Sequence, residues 1–86
     1  MKSVTSRRFR EMYAVLPPDA RQQARKAYVL FRENASHPGL RFKKIEGTAN
    51  LYSVRVGLGY RALGQMDQDV IVWFWIGSHK EYDRLV

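Results

Sequence analysis

The chain has no cysteine among its 86 residues. No disulfide can therefore staple it, and a single apolar core, with or without a partner, must supply its stability. A reducing compartment suits such a composition. Long apolar runs are also lacking: none approaches the roughly 20 residues that cross a bilayer. The opening "MKSVTSRRFREMY" has positive charge but no apolar signal region behind it. A cytoplasmic protein without membrane contact is the default expectation. Repeats, linkers and low-complexity tracts are missing too, so residues 1–86 read as one small domain. Only two histidines occur, at 37 and 79, and neither has a paired carboxylate beside it in the sequence. No metal site and no cofactor are expected.

Acidic residues are scarce as well. Eight stand against fifteen basic ones, for a formal charge of +7. Residues 1–34 carry 8 basic and 3 acidic groups, residues 35–65 carry 5 and 1, and residues 66–86 carry 2 and 4. The positive excess lies in the first two thirds and suits a polyanion or an acidic protein partner. Solubility alone is the bland alternative.

"SRRFREMYAVL" sets Phe9, Met12, Tyr13 and Leu16 at helical spacing, with Thr5 or Ser6 to cap the start and Pro17 and Pro18 to stop it. A second helix should begin near Pro18 or Asp19 and present Ala20, Ala24, Ala27, Tyr28, Phe31 and Ala35 on one face. Its small alanines should let it pack closely on the first helix. "SHPG" ends it, and His37 reads as a structural residue of that turn. The period then changes to two. "LRFKKIEG", "LYSVRVG" and "GYRALG" read as strands, "VIVWFWIG" as a central strand, and "SHKEYDRLV" as a final turn or short helix. The expected fold is α+β: a two-helix N-terminal hairpin packed on an antiparallel sheet of about four strands.

"YSVRVGLGYRALG" carries the chemistry. With the turn centred on Leu58, Val56 opposes Tyr60, Arg55 opposes Arg61 and Val54 opposes Ala62 on the core face. Ser53, Arg55, Arg61 and Leu63 point the other way. Opposed like charges cost stability, so a purely structural sheet has no need of them. Paired guanidinium forks do match phosphate oxygens. Lys43 and Lys44 should face opposite ways, so at most one joins the arginine face. Arg41 shares parity with Lys43 and extends a basic track. Trp73 and Trp75 share a face of the central strand and read as core rather than as a base-stacking platform.

The helix hairpin, "LRFKKIEG", "YSVRVGLGYRALG" and "VIVWFWIGSHKEYDRL" together resemble the RelE/ParE superfamily of bacterial type II toxins over nearly the whole chain. The resemblance is closer to the RelE-like messenger-RNA interferases. It implies a toxin held by an antitoxin encoded next to it, a toxin that cuts mRNA on the ribosome without a metal. Arg61 falls on the arginine of the family's "GYR", Arg55 on the second of two strand lysines, and Ser53 on the first, where no charge remains. His79 in "GSHKEYD" falls where related toxins have a functional histidine or arginine, and Tyr82 is the nearest candidate for a tyrosine that stacks on the substrate base. The resemblance thus implies Arg61, Arg55 and His79 as catalytic, with Lys43, Lys44, Arg41, Ser53 and Tyr82 around the substrate. A ParE-like inhibitor of DNA gyrase is the alternative reading, and a toxin-derived binding protein without catalysis is another.

Overall fold

A computed structural model describes all 86 residues. The chain runs through β1 (Lys2–Thr5), α1 (Arg7–Ala14), α2 (Pro18–Glu33), a 3-10 turn (Pro38–Leu40), β2 (Lys43–Lys44), β3 (Leu51–Val56), β4 (Tyr60–Asp67), β5 (Val70–Ser78) and α3 (His79–Leu85). The strands form one sheet in the order β1-β5-β4-β3-β2. The α+β class and the two helices on the sheet agree with the sequence reading.

The sheet has five strands rather than four, and it is mixed: β1 runs parallel to β5 while every other pair is antiparallel. β1 escaped notice because "KSVT" offers one strongly apolar side chain and no alternation. Tertiary contacts hold it instead. Trp73 Nε1 donates to Ser3 Oγ at 2.9 Å, and the Tyr28 hydroxyl donates to the Ser3 carbonyl at 3.1 Å. At the other edge, "LRFKKIEG" yields only a two-residue strand. Leu40 is buried from the 3-10 turn, and Arg41 caps that turn in the left-handed region at φ 48°. Strand parity therefore does not reach Arg41.

Ser6, not Thr5, caps α1, its hydroxyl accepting from the Phe9 amide at 3.1 Å. Pro18 opens α2 with Asp19 in the first turn, as its chemistry requires. The two helices do not close on one another. Ala24 and Ala27 line an open apolar cleft of about 390 Å³ whose floor is Val54, Val56, Ala62, Trp73 and Ile76. Beside it, Phe31 stands edge-on to Phe42 (5.0 Å) and Trp73 (5.3 Å), and Phe42 stacks on Tyr52 (5.1 Å). This aromatic cluster ties α2 to the sheet.

β5 lies between β1 and β4, as its apolar run implied, but its two tryptophans part company. A bulge opposite Leu63 and Gly64 leaves Phe74 without a partner: Leu63 pairs with Trp75, and Gly64 with Trp73. One extra residue reverses the alternation. Ile71, Trp73 and Ile76 enter the helix-covered core, whereas Trp75 joins Leu63 and Ser53 on the opposite face. Gly64 makes this possible, because a Cβ there would lie 2.8 Å from Ile71 and from the Trp73 ring.

Gly64→Ala should therefore destabilise the protein by about 1–3 kcal/mol, the usual cost of overpacking. Gly59→Ala, where a Cβ meets nothing within 4 Å, should stay within about 0.5 kcal/mol of the parent. Urea unfolding of both variants checks the contrast.

Candidate functional site

The site is built on the β3–β4 hairpin. Its turn is Gly57–Leu58–Gly59, with Gly57 at φ 60°, where a side chain would be strained, and Leu58 86 % exposed. The register is Val56 with Tyr60, Arg55 with Arg61, and Val54 with Ala62, as the sequence indicated. Val54, Val56 and Ala62 are buried in the core. Burying a valine contributes roughly 1.5–3 kcal/mol, while a like-charge cross-strand pair costs roughly 0.2–1 kcal/mol. The apolar face wins, and both arginines are fixed on the outer face.

No carboxylate neutralises them. The ion pairs of the chain are Met1–Asp69, Arg7–Glu11 and His79–Asp83. Arg55 Nε donates to the Gly57 carbonyl at 3.2 Å, which turns that side chain toward the hairpin tip. The Arg61 guanidinium lies over the Tyr82 ring, 5.5 Å from its centroid.

Tyr82 comes from α3, which is docked by three ties. Ser78 caps it through a capping box: its hydroxyl accepts from the Glu81 amide at 3.1 Å, and Glu81 Oε1 accepts from the Ser78 amide at 2.9 Å. The His79 amide donates to the Gly59 carbonyl at 2.8 Å, joining the helix start to the hairpin turn. The third tie is burial of Tyr82 itself, 9 % exposed. The hydrogen bonds from the Ser78 backbone and then its hydroxyl, with a smaller contribution from the Arg84 charge, hold the Glu81 carboxyl below its ordinary value.

His79 is the first residue of α3, with a side chain 48 % exposed and its ring 6.3 Å from that of Tyr82. It does have a carboxylate partner. Helical spacing brings Asp83 within 3.4 Å of Nε2, an ion pair whenever the imidazole is protonated. That partner was hidden in the sequence because the tail could be read as either a turn or a helix. No group of three His, Cys, Asp or Glu side chains converges anywhere in the chain.

The remaining sequence candidates divide. Lys43 pairs in register with Ser53 and so stands at the edge of the arginine face, while Lys44 pairs with Tyr52 on the other side; both are exposed. Arg41 is exposed but belongs to the 3-10 turn rather than to a strand track. Ser53 is on the predicted face yet is 0 % exposed, its hydroxyl without a partner, so it offers a substrate nothing in this arrangement. Tyr82 likewise has no free ring to offer a base, being buried beneath Arg61. His37 is structural, its Nδ1 accepting from the Gly39 amide at 3.0 Å. Trp75 was missed. It is half-buried on the arginine face, and its ring crosses Gly77, the residue in register with Arg61, where a Cβ would lie 2.6 Å from it. An apolar run on both faces carries no parity, so no local signal reveals the bulge that turns Trp75 outward.

The same architecture occurs in solved toxin structures. The chain superposes on the RelB–RelE antitoxin–toxin complex from Methanococcus jannaschii with a TM-score of 0.75, at 24% identity over 96% of this chain and 99% of that one. It is similar to the isolated E. coli RelE toxin (TM-score 0.68, 18% identity, 99% and 98% covered) and to the RelE–RelB complex of Pyrococcus horikoshii (0.64, 20%, 90% and 92%). No curated protein sequence matches significantly. The sequence profile of the ParE-like toxin domain matches residues 18–84, and the chain belongs to that family.

The docking of α3 should be acid-sensitive. Because Glu81 has a lower pKa folded than its ordinary 4.5, the unfolded tail binds more protons as pH falls below that value. The stabilisation is complete above 4.5 and is lost as pH falls through the folded value. Hydrogen exchange of α3 amides should show more opening in acid, after correction for intrinsic rates. Glu81→Gln should flatten that dependence, and an unchanged pH profile would refute it.

Proposed function

We propose that this protein is the toxin of a type II toxin–antitoxin pair and cuts messenger RNA on the ribosome. The observation that carries the reading is the pair of opposed arginines on the outer face, unneutralised by any carboxylate, with an exposed histidine tied through its amide to the hairpin turn. A structural sheet gains nothing from that arrangement, and a phosphodiester does. Arg55 and Arg61 hold the scissile phosphate and stabilise the charge that develops on it. They stay protonated and so are not the proton carriers. The RNA's own 2′-oxygen attacks phosphorus and the bond to the 5′-oxygen breaks. The protonated His79 gives its proton to that leaving oxygen, while the 2′-hydroxyl proton passes to an acceptor of the ribosomal complex or solvent. Lys43 and the net charge of +7 add attraction for ribosomal RNA.

The partner that silences such a toxin must cover it. An antitoxin with an apolar segment fits the open cleft between α1 and α2, and acidic side chains on it would meet Arg10 and Arg25, which line that cleft. Residues 1–86 act as one toxin domain in the cytoplasm on this reading. No helix is long and apolar enough to cross a membrane. The match to the ParE-like profile favours a second reading, a gyrase inhibitor that works by binding.

Induction in bacteria, with translation, mRNA ends and DNA supercoiling followed together, separates the two. Early translation arrest with new mRNA ends supports cleavage. Early DNA damage with intact mRNA supports the gyrase reading, and no effect on either leaves a binding protein. Folded Arg61→Ala should lose most cleavage, with Arg55→Ala next in severity. His79→Gln should slow cleavage by roughly 10²- to 10⁴-fold, the range of general acid–base catalysis, with ribosome affinity at fixed salt little changed. Full cleavage by either the Arg61 or the His79 variant would remove that residue from the mechanism.

A further inference from the structure

We infer that Tyr82 is a positioning residue: its ring face holds the Arg61 guanidinium in the orientation that receives a phosphate. The inference rests on the reading of Arg55 and Arg61 as phosphate ligands. Directly opposed cross-strand arginines repel and, left free, would sweep apart into solvent. Long arginine side chains lose much rotamer freedom when fixed, so a site that needs both forks in place must hold each one. Arg55 is held by the Gly57 carbonyl at 3.2 Å. Arg61 takes part in no ion pair, and the aromatic ring beneath it, 5.5 Å away, does the corresponding work. An aromatic ring attracts the cation while offering its N–H groups no carboxylate acceptor. Those groups stay available for phosphate oxygens, which a carboxylate partner would deny them.

The ring is itself fixed. Tyr82 is buried, and α3 is anchored by its capping box and by the His79 amide on Gly59. The His79 and Tyr82 rings meet edge to face at 6.3 Å, so one buried side chain neighbours both Arg61 and the exposed imidazole. Tyr82 accordingly acts through Arg61 rather than by stacking on a substrate base.

Nuclear magnetic resonance of the full-length protein reads the contact directly. In the wild type, the Arg61 δ-protons should be shifted upfield by the ring; values like those of exposed arginines would overturn the proposal without any variant. Tyr82→Phe keeps the ring and should keep the shift, whereas Tyr82→Leu keeps apolar bulk and should lose it. On ribosomes, Tyr82→Leu should lower cleavage efficiency by about 3- to 30-fold, the worth of one cation–π contact. Tyr82→Phe should restore it. A folded Tyr82→Leu protein with unchanged Arg61 shifts, or a Tyr82→Phe protein as impaired as Tyr82→Leu, overturns the inference. A wild-type chain that cuts nothing defeats the ribonuclease reading instead, and the Arg61 shifts then decide the contact alone.

Discussion

Burial of Val54, Val56 and Ala62 sets the register of the β3–β4 hairpin, and the outer face follows from it. A slip of one residue would expose all three and turn Arg55 and Arg61 inward. The apolar contribution of the two valines exceeds what the opposed charges cost, so the core dictates where the charges sit. The charged pair is thus locked on the surface by residues that never touch it. Gly57, in the left-handed region, lets the chain reverse tightly enough to keep the two arginines directly opposite rather than staggered.

The second constraint comes from β5. It must serve two packed faces, and the bulge at Phe74 resolves the conflict by sending Trp73 inward and Trp75 outward. Gly64 admits the first ring to the core, and Gly77 admits the second beside Arg61. Strand, bulge and both glycines therefore form one packing solution. The same strand then runs straight into Ser78 and α3, which is why the exposed imidazole of His79 starts at the hairpin tip rather than elsewhere on the sheet.

What was legible in the sequence was what repeats with a fixed period or has local turn chemistry. Helices α1 and α2, the hairpin register and the outward placement of Arg55 and Arg61 fall in that group. What was not legible depends on contacts distant in sequence. β1 is a strand because Trp73 and Tyr28 hold Ser3 in place, some 70 and 25 residues away. Trp75 faces outward because of a bulge hidden inside an uninterrupted apolar run. Ser53 and Tyr82 looked available to a substrate because the family resemblance that singled them out matches positions and says nothing of coverage. The Asp83 partner of His79 required knowing that the tail is helical.

The outer face combines two opposing demands in few residues. It must leave guanidinium edges and an imidazole exposed, yet it must hold them still. Helix α3 meets the second demand with only seven residues, far below the roughly 12–15 at which an isolated helix becomes even marginal in water. Its order is therefore borrowed from the capping box at Ser78, the Gly59 carbonyl and the buried Tyr82 ring. Loss of any one tie loosens the others, and with them the guanidinium lying on that ring. Arg55, held by a carbonyl of its own hairpin, does not share this dependence. The two arginines are symmetric in register but unequal in support: one is set by local backbone, the other by a short helix that depends on its ties to the rest of the fold.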